Sequence, residues 1–215
     1  MVPKKYLYGI IAGIAIAAVA IAVIEFLPMM GNGSTSGQVA FLDFTYDEEN
    51  SDLRNDLASV HINMTHPIRL SSAADVAQYC NFITDPKKQA LVTYCTSTVL
   101  KNDQGTLGDI TMVGTPDVPG LVVVALQSNP YMSNYGDIKT VFGVVLNSTI
   151  CSCWDKEHPG GYATLSDMMD ALRDFHINGK KPDSTTHTIP LGNKHFEIEL
   201  STTTTGYLWK LLVAK

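Results

Sequence analysis

The sequence contains none of the short motifs by which common enzyme classes are recognised. It has no G-x-S-x-G nucleophile motif, no H-E-x-x-H zinc motif and no phosphate-binding P-loop, and it shows no internal repeat. Carboxylates are plentiful, but the run that includes Asp47, Glu48 and Asp52 is typical of a solvated acidic face. We therefore expect a protein that is not an enzyme. A hydrolase with dispersed catalytic residues is the remaining enzyme alternative.

Basic charge is also scarce. The 215 residues include 15 Lys and Arg against 21 Asp and Glu, which gives a net charge of −6. Without residues 1–30 the net charge becomes −7, because Lys4, Lys5 and Glu25 are removed. Neutralisation of phosphates by Lys and Arg dominates nucleic-acid affinity, so an acidic chain is a poor nucleic-acid binder. We expect no nucleic-acid partner.

Charged and strongly polar side chains are missing from residues 6–24. A helix of this length spans about 28 Å, close to the hydrocarbon thickness of a bilayer. The tail at residues 1–5 carries Lys4 and Lys5, and the positive-inside rule places it in the cytoplasm. We therefore predict a single-pass anchor in the lipid bilayer of the cell membrane over residues 6–28, with the C-terminal part outside. A cleaved signal peptide is the alternative, because it shares the positive start and apolar core.

The remaining chain predicts a short linker and one extracytoplasmic domain. Residues 29–38 are rich in Gly and Ser, which is typical of a flexible linker. Residues 39–215 intersperse strand patterns and helix starts without a regular β-α-β alternation, which favours an α+β fold. We expect a mainly antiparallel sheet, with strands that include 39–46 and 138–146, and two or three helices. The best-defined helix begins after the capping box at Thr164.

The chain has few cysteines, and all of them follow the apolar stretch. They are the disulfide candidates Cys80, Cys95, Cys151 and Cys153. An even number in an oxidising compartment favours disulfides, with three connectivities open. Alternatively, the thiolates of Cys151 and Cys153 and the imidazole of His158 would bind copper or zinc, or the two cysteines would form a redox-active pair. No other cofactor is expected.

Three Asn-x-Ser/Thr sequons fit an exported protein. They begin at Asn32, Asn63 and Asn147. Each is a candidate glycosylation site, provided that the host glycosylates its exported proteins. Together with the cysteines they predict a disulfide-bonded glycoprotein.

The C-terminal segment 192–209 ends in the letters TTTTGYLW. It resembles the first conserved motif of chagasin-type inhibitors of papain-like cysteine proteases, in which a Thr-Gly loop joins two strands of an immunoglobulin-like β-sandwich. The resemblance implies a binding loop that enters a protease cleft. The matching residues are Thr204, Thr205, Gly206, Tyr207 and Trp209. Residues 202–203 replace the family's Asn-Pro, and only six residues follow Trp209. A plain hairpin, with a positive φ at Gly206 and Trp209 packed inward, explains the same letters.

These patterns favour a membrane-anchored extracytoplasmic domain that binds or scaffolds a protein partner at the membrane surface, as an accessory subunit of a larger assembly. Aromatic side chains are the candidates for a contact surface. They are Trp154, Tyr131, Tyr135 and Trp209. The alternatives are a metal or redox handling protein that uses the cluster of Cys151, Cys153 and His158, and a chagasin-like protease inhibitor.

Overall fold

A nine-stranded antiparallel sheet organises residues 40–215, the part of the chain that the computed structural model describes. Its strands are β1 Asn63–Met64, β2 Ile68–Leu70, β3 Tyr94–Asn102, β4 Gly105–Gly114, β5 Pro119–Ser128, β6 Asp183–Thr185, β7 Ile189–Leu191, β8 Lys194–Thr202 and β9 Tyr207–Ala214. The spatial order is β1-β3-β4-β5-β9-β8-β6, with β2 also paired to β3 and β7 to β8. The predicted antiparallel sheet is therefore present.

Six α-helices occur in the same residues, more than the two or three predicted. They are α1 Tyr46–Ser59, α2 Ala73–Tyr79, α3 Pro86–Gln89, α4 Tyr135–Thr149, α5 Trp154–Glu157 and α6 Leu165–Asn178. A 3₁₀ turn, Pro159–Gly161, follows α5. Hydrophobic periodicity reveals long amphipathic helices better than helices of one or two turns. Three of the six helices have seven residues or fewer, which explains the difference in number.

The predicted fold class also included a transmembrane helix, and this part of it is contradicted. Within residues 40–215 no helix is both long and apolar enough to cross a membrane. The longest has 15 residues, about 22 Å, whereas a hydrocarbon core is roughly 30 Å thick. The stretch assigned to the span, residues 6–28, lies outside the described residues. The predicted tail at 1–5 and linker at 29–38 lie outside them as well.

The predicted strand at 39–46 is wrong, since the described part of this segment contains no strand and α1 begins at Tyr46. Thr45 and Glu48 form a capping box that starts the helix. The Thr45 hydroxyl accepts a hydrogen bond from the Glu48 amide at 3.4 Å, and the Glu48 carboxylate accepts one from the Thr45 amide at 3.1 Å.

The predicted strand at 138–146 is also wrong, because this segment lies in α4. Its β-branched residues suggested a strand, but its apolar residues recur with the helical period. The buried positions are Ile138, Val141, Phe142, Val145 and Leu146. Burial of this stripe against the sheet outweighs the local strand preference. The helix after the capping box at Thr164 is confirmed as α6.

Two apolar clusters lie on opposite faces of the sheet. The long helices α1, α4 and α6 cover one face, and the main core between the layers includes the fully buried Phe142 and Trp209. The smaller cluster on the other face joins Val76 and Cys80 of the α2 segment to Cys95 of β3. The long helices therefore cover one face of the sheet, whereas the loops at the strand ends stay accessible to solvent.

Candidate functional site

Three connections meet at one end of the sheet and line an open pocket of about 280 Å³. They are the β3–β4 turn, the loop from β5 to α4, and the β8–β9 turn. We call this cavity the loop-end pocket. Its side chains are polar and uncharged apart from the apolar Leu107. The polar residues are Asn102, Gln104, Thr106, Gln127, Ser128, Asn129, Ser133, Asn134 and Thr205.

Asn102 shapes the first wall. Its side-chain oxygen accepts hydrogen bonds from the amides of Gln104 at 2.9 Å and Gly105 at 3.0 Å, which closes the β3–β4 turn. Its side-chain nitrogen donates to a carboxylate oxygen of Asp137 in α4 at 2.6 Å. The turn is therefore fastened to the helix layer.

Asn129 shapes the second wall in the same way. Its side-chain oxygen accepts from the amides of Tyr131 at 3.0 Å and Ser133 at 3.2 Å, and its nitrogen donates to the Ser133 hydroxyl at 2.8 Å. This network holds Tyr131 at the tip of the loop, where its side chain is 91% exposed. The loop thus presents an aromatic ring to solvent from the chain segment that lines the pocket.

Gly206 allows the third wall to approach β5. Its φ is +152°, and a Cβ there would collide with the carbonyl oxygen of Ser128. Only glycine fits this close approach without a shift of the backbone. The turn is closed by the Thr203 amide, which donates to the Gly206 carbonyl at 2.8 Å.

Two polar atoms at the pocket have no hydrogen-bond partner in the described protein. They are the Ser128 hydroxyl oxygen and the Asn134 side-chain oxygen. Ser128 is only 6% exposed. The Asn134 nitrogen donates to the Gln127 carbonyl at 2.8 Å, which fixes the orientation of the amide. Each of the two atoms exposes less than 1 Å² to solvent, so a ligand in the pocket does not reach it without movement of the wall. An unpaired buried polar group costs about 1–3 kcal/mol.

The structure divides the predicted binding loop between surface and core. Thr204 and Thr205 are exposed at the β8–β9 turn, and Thr205 lines the pocket. Gly206 is buried and Tyr207 is half-buried. Trp209 is fully buried, with its ring centroid 5.1 Å from that of Tyr135. Sequence reasoning singled out this turn as a binding loop, but it assigned no pocket to the other two walls, whose turns contain Asn102 and Asn129.

The aromatic candidates for a contact surface also divide. Only Tyr131 of the four is exposed, whereas Trp154 and Tyr135 are half-buried and Trp209 belongs to the core. Among the described residues the Thr-Gly hairpin lies in one helix-covered sheet rather than in a pair of packed sheets. Protease inhibition through this turn stays a prediction.

The four cysteines form two pairs at disulfide distance. Cys80 pairs with Cys95, with 6.4 Å between their Cα atoms, and Cys151 pairs with Cys153, at 5.2 Å. This is one of the three connectivities that the sequence left open. The first pair is fully buried and joins the end of α2 to β3, whereas the second is half-buried between α4 and α5.

The second pair lies beside a carboxylate. The sulfur atoms of Cys151 and Cys153 and a Glu157 oxygen all lie within 4.8 Å of one another. Glu157 also accepts a hydrogen bond from the Gly192 amide at 2.7 Å. His158, the predicted third ligand, is exposed after α5 and does not belong to this group of potential ligands among the described residues.

His176 is a buried polar group that sequence reasoning missed. It is 1% exposed, and its Nδ1 lies 3.0 Å from the Ser184 hydroxyl while Nε2 lies 2.8 Å from that of Thr202. Burial lowers the pKa of His176, although nearby Asp183 partly opposes this. Both ring nitrogens are satisfied by hydroxyl groups, so the side chain fastens α6 to β6 and β8. The position of His176 in the predicted helix did not indicate these hydrogen bonds to Ser184 and Thr202.

The sequons are placed in part. Asn63 of β1 and Asn147 of α4 are exposed, and Asn32 lies outside the described residues. Glycosylation stays a prediction.

A comparison with known proteins finds no match to any family model, curated protein or solved structure.

Proposed function

We propose that residues 40–215 form an extracytoplasmic binding domain that takes a small polar ligand in the loop-end pocket. The observation that carries this proposal is the loop-end pocket itself, where uncharged polar side chains from three connections of the chain converge. The two cysteine pairs at disulfide distance support an oxidising location.

The chemistry of the pocket favours recognition over catalysis. Its amide and hydroxyl side chains donate and accept hydrogen bonds, but they do not titrate near neutral pH. The walls are braced by Asn102 and Asn129, so the polar groups are positioned before a ligand arrives. Tyr131 is exposed on a loop that contributes to the pocket and would serve a protein partner docked at this loop.

Amide NMR of the full-length chain, titrated separately with acetamide and ethylene glycol, tests the proposal. We expect the largest shifts at residues 102–107, 127–134 and 205. A matched pair of variants supplies the control, because Thr205 lines the pocket and its neighbour Thr204 does not. Thr205→Val should weaken the shifts while Thr204→Val leaves them unchanged. Shifts that scatter over the surface, or that are absent at these residues, would overturn the proposal.

The potential ligand group at Cys151, Cys153 and Glu157 favours a second candidate function, metal binding in the reduced state. Disulfide sulfurs are not thiolates, so this function requires reduction of the pair first. After reduction we expect one Zn²⁺ to bind, measured by competition with a chromogenic chelator. Glu157→Gln should weaken binding, whereas His158→Ala should not. Equal affinity in the wild type and the Glu157→Gln variant would contradict this assignment.

A further inference from the structure

We propose that Thr202 and His176 form a nucleophile–base pair that accepts the acyl group of small esters. Thr202 is the last residue of β8, at the start of the turn whose Thr205 lines the loop-end pocket. Of the two hydroxyl-bearing residues that contact the His176 ring, Ser184 is 8% exposed, whereas Thr202 is exposed to solvent. A small ester therefore reaches the pair at Thr202.

The Thr202 hydroxyl lies within hydrogen-bond distance of a base. Its Oγ1 is 2.8 Å from Nε2 of His176. Its other neighbour, the Lys181 carbonyl oxygen, is 3.4 Å away, beyond the usual range of about 2.5–3.0 Å for an O–H···O hydrogen bond. The hydroxyl therefore donates to Nε2, and Nε2 has no proton of its own. A nucleophile and its general base require this arrangement.

Ser184 orients the base. The proton of the neutral ring lies on Nδ1, because Nε2 accepts the hydrogen bond from Thr202. Nδ1 is 3.0 Å from the Ser184 hydroxyl oxygen, which accepts its hydrogen bond. The titratable groups near the ring include Asp183 and the edge-on Tyr207, and burial lowers the pKa of His176 against the charge of Asp183. The imidazole is therefore neutral near pH 7, and Ser184 is a positioning residue that keeps Nε2 free to take a proton.

The reaction balances with this pair, an ester and water. Thr202 Oγ1 attacks the carbonyl carbon of the ester while Nε2 of His176 takes the hydroxyl proton. The C–O bond to the leaving alcohol then breaks, and the imidazolium gives the proton to the departing oxygen. Water attacks the acyl-threonine in the second half. One of its protons passes through Nε2 to Thr202, and the carboxylic acid is released. The sum converts an ester and water into an acid and an alcohol.

Hydrolysis of p-nitrophenyl acetate by the oxidised full-length chain, followed by the absorbance of the released nitrophenolate, tests the proposal. This ester is suitable because its leaving group departs without stabilisation by further groups. After an acid quench we expect an acetyl group on the peptide that contains Thr202. Thr202→Val should abolish the acetyl group and the rate above that of buffer, since valine has a similar shape but no hydroxyl. Thr202→Ser should retain both.

His176→Gln should lower the rate above that of buffer by about 100-fold, the lower end of the contribution of a general base. The matched controls are Thr204→Val and His187→Ala, which change an exposed threonine of the same turn and an exposed histidine. Both should leave the rate unchanged. Urea unfolding of each variant verifies that it is folded under the assay conditions, and if His176→Gln does not fold, the Thr202 variants decide.

The pH–rate profile separates the positioning role of Ser184 from a role in stability. The hydrogen bond from Nδ1 to Ser184 favours the charged ring more than the neutral one. Ser184→Ala should therefore move the lower midpoint of the profile to a lower pH, an effect that loss of stability alone does not produce. An unchanged midpoint would overturn this role. Equal rates in the wild type and Thr202→Val, or acetyl groups only on other residues, would overturn the nucleophile–base pair and leave ligand binding in the loop-end pocket untouched.

Discussion

Replacement of Ser128 by alanine should stabilise the free protein. The hydroxyl is buried, with 6% of the residue exposed, and it lacks a protein partner. An unsatisfied buried polar group costs about 1–3 kcal/mol, and removal of one oxygen leaves little empty space. We expect the free energy of unfolding to rise by about 1 kcal/mol. For a chain of this size that corresponds to an increase in Tm of about 2–4 °C.

Ser184 provides the matched control, because the same substitution there should have the opposite sign. Ser184 is 8% exposed, and its hydroxyl lies 3.0 Å from Nδ1 of His176. Ser184→Ala leaves a buried ring nitrogen without a partner and should lower the free energy of unfolding by about 1–3 kcal/mol. The two serines thus have similar burial but differ in hydrogen bonding.

Urea unfolding of the oxidised full-length variants at pH 7.5, followed by tryptophan fluorescence, measures both effects. A Ser128→Ala variant that is destabilised as much as Ser184→Ala would refute the reasoning. Its hydroxyl would then be a satisfied structural group rather than an unpaired one.

Three further predictions concern the hairpin turn, the buried histidine and the disulfides. Gly206→Ala should lower the free energy of unfolding in urea by more than about 3 kcal/mol, because the new Cβ would collide with Ser128. At Gly161, where φ is +82°, an added Cβ meets open space, and Gly161→Ala should lower the free energy of unfolding by only about 1 kcal/mol. Equal losses of stability in the two variants would contradict the close approach of Gly206 to Ser128. Because burial lowers the pKa of His176, the unfolded chain takes up a proton near pH 6.5 that the folded protein does not. Stability should therefore be full above that pH and fall as the pH drops below it, and His176→Gln should flatten this dependence; an unchanged slope would assign it to other groups. Limited treatment with a phosphine should reduce the half-buried Cys151–Cys153 pair before the fully buried Cys80–Cys95 pair, because the reductant reaches the more exposed sulfur atoms first. Alkylation of the freed thiols, followed by peptide mass analysis, measures the order. Reduction of Cys80–Cys95 first would contradict this reasoning.

The sequence predicted an antiparallel sheet, but two segments that it assigned to strands, 39–46 and 138–146, are not strands. The hairpin before Trp209 is confirmed, since β8 and β9 pair on either side of its Thr-rich turn. In α4 the β-branched residues have an intrinsic preference for strands, but the apolar stripe from Ile138 to Leu146 has helical spacing. Tertiary burial decides such a conflict, and it cannot be computed from local preference.

The site was less predictable than the fold. Its three walls come from segments about 25 and 75 residues apart in sequence, and only their strand pairing brings them together. The Asn residues in these turns predict tight loops, but they do not predict that Ser128 is buried without a hydrogen-bond partner. The pairing of β5 with both β4 and β9, which no local pattern encodes, brings the three walls of the pocket together.

A crystal structure of the full-length chain soaked with acetamide tests the central claim most directly. We predict acetamide in the loop-end pocket, within hydrogen-bond distance of lining side chains that include Asn102, Asn129 and Thr205. Acetamide bound only elsewhere on the surface, or an empty pocket, would contradict the account.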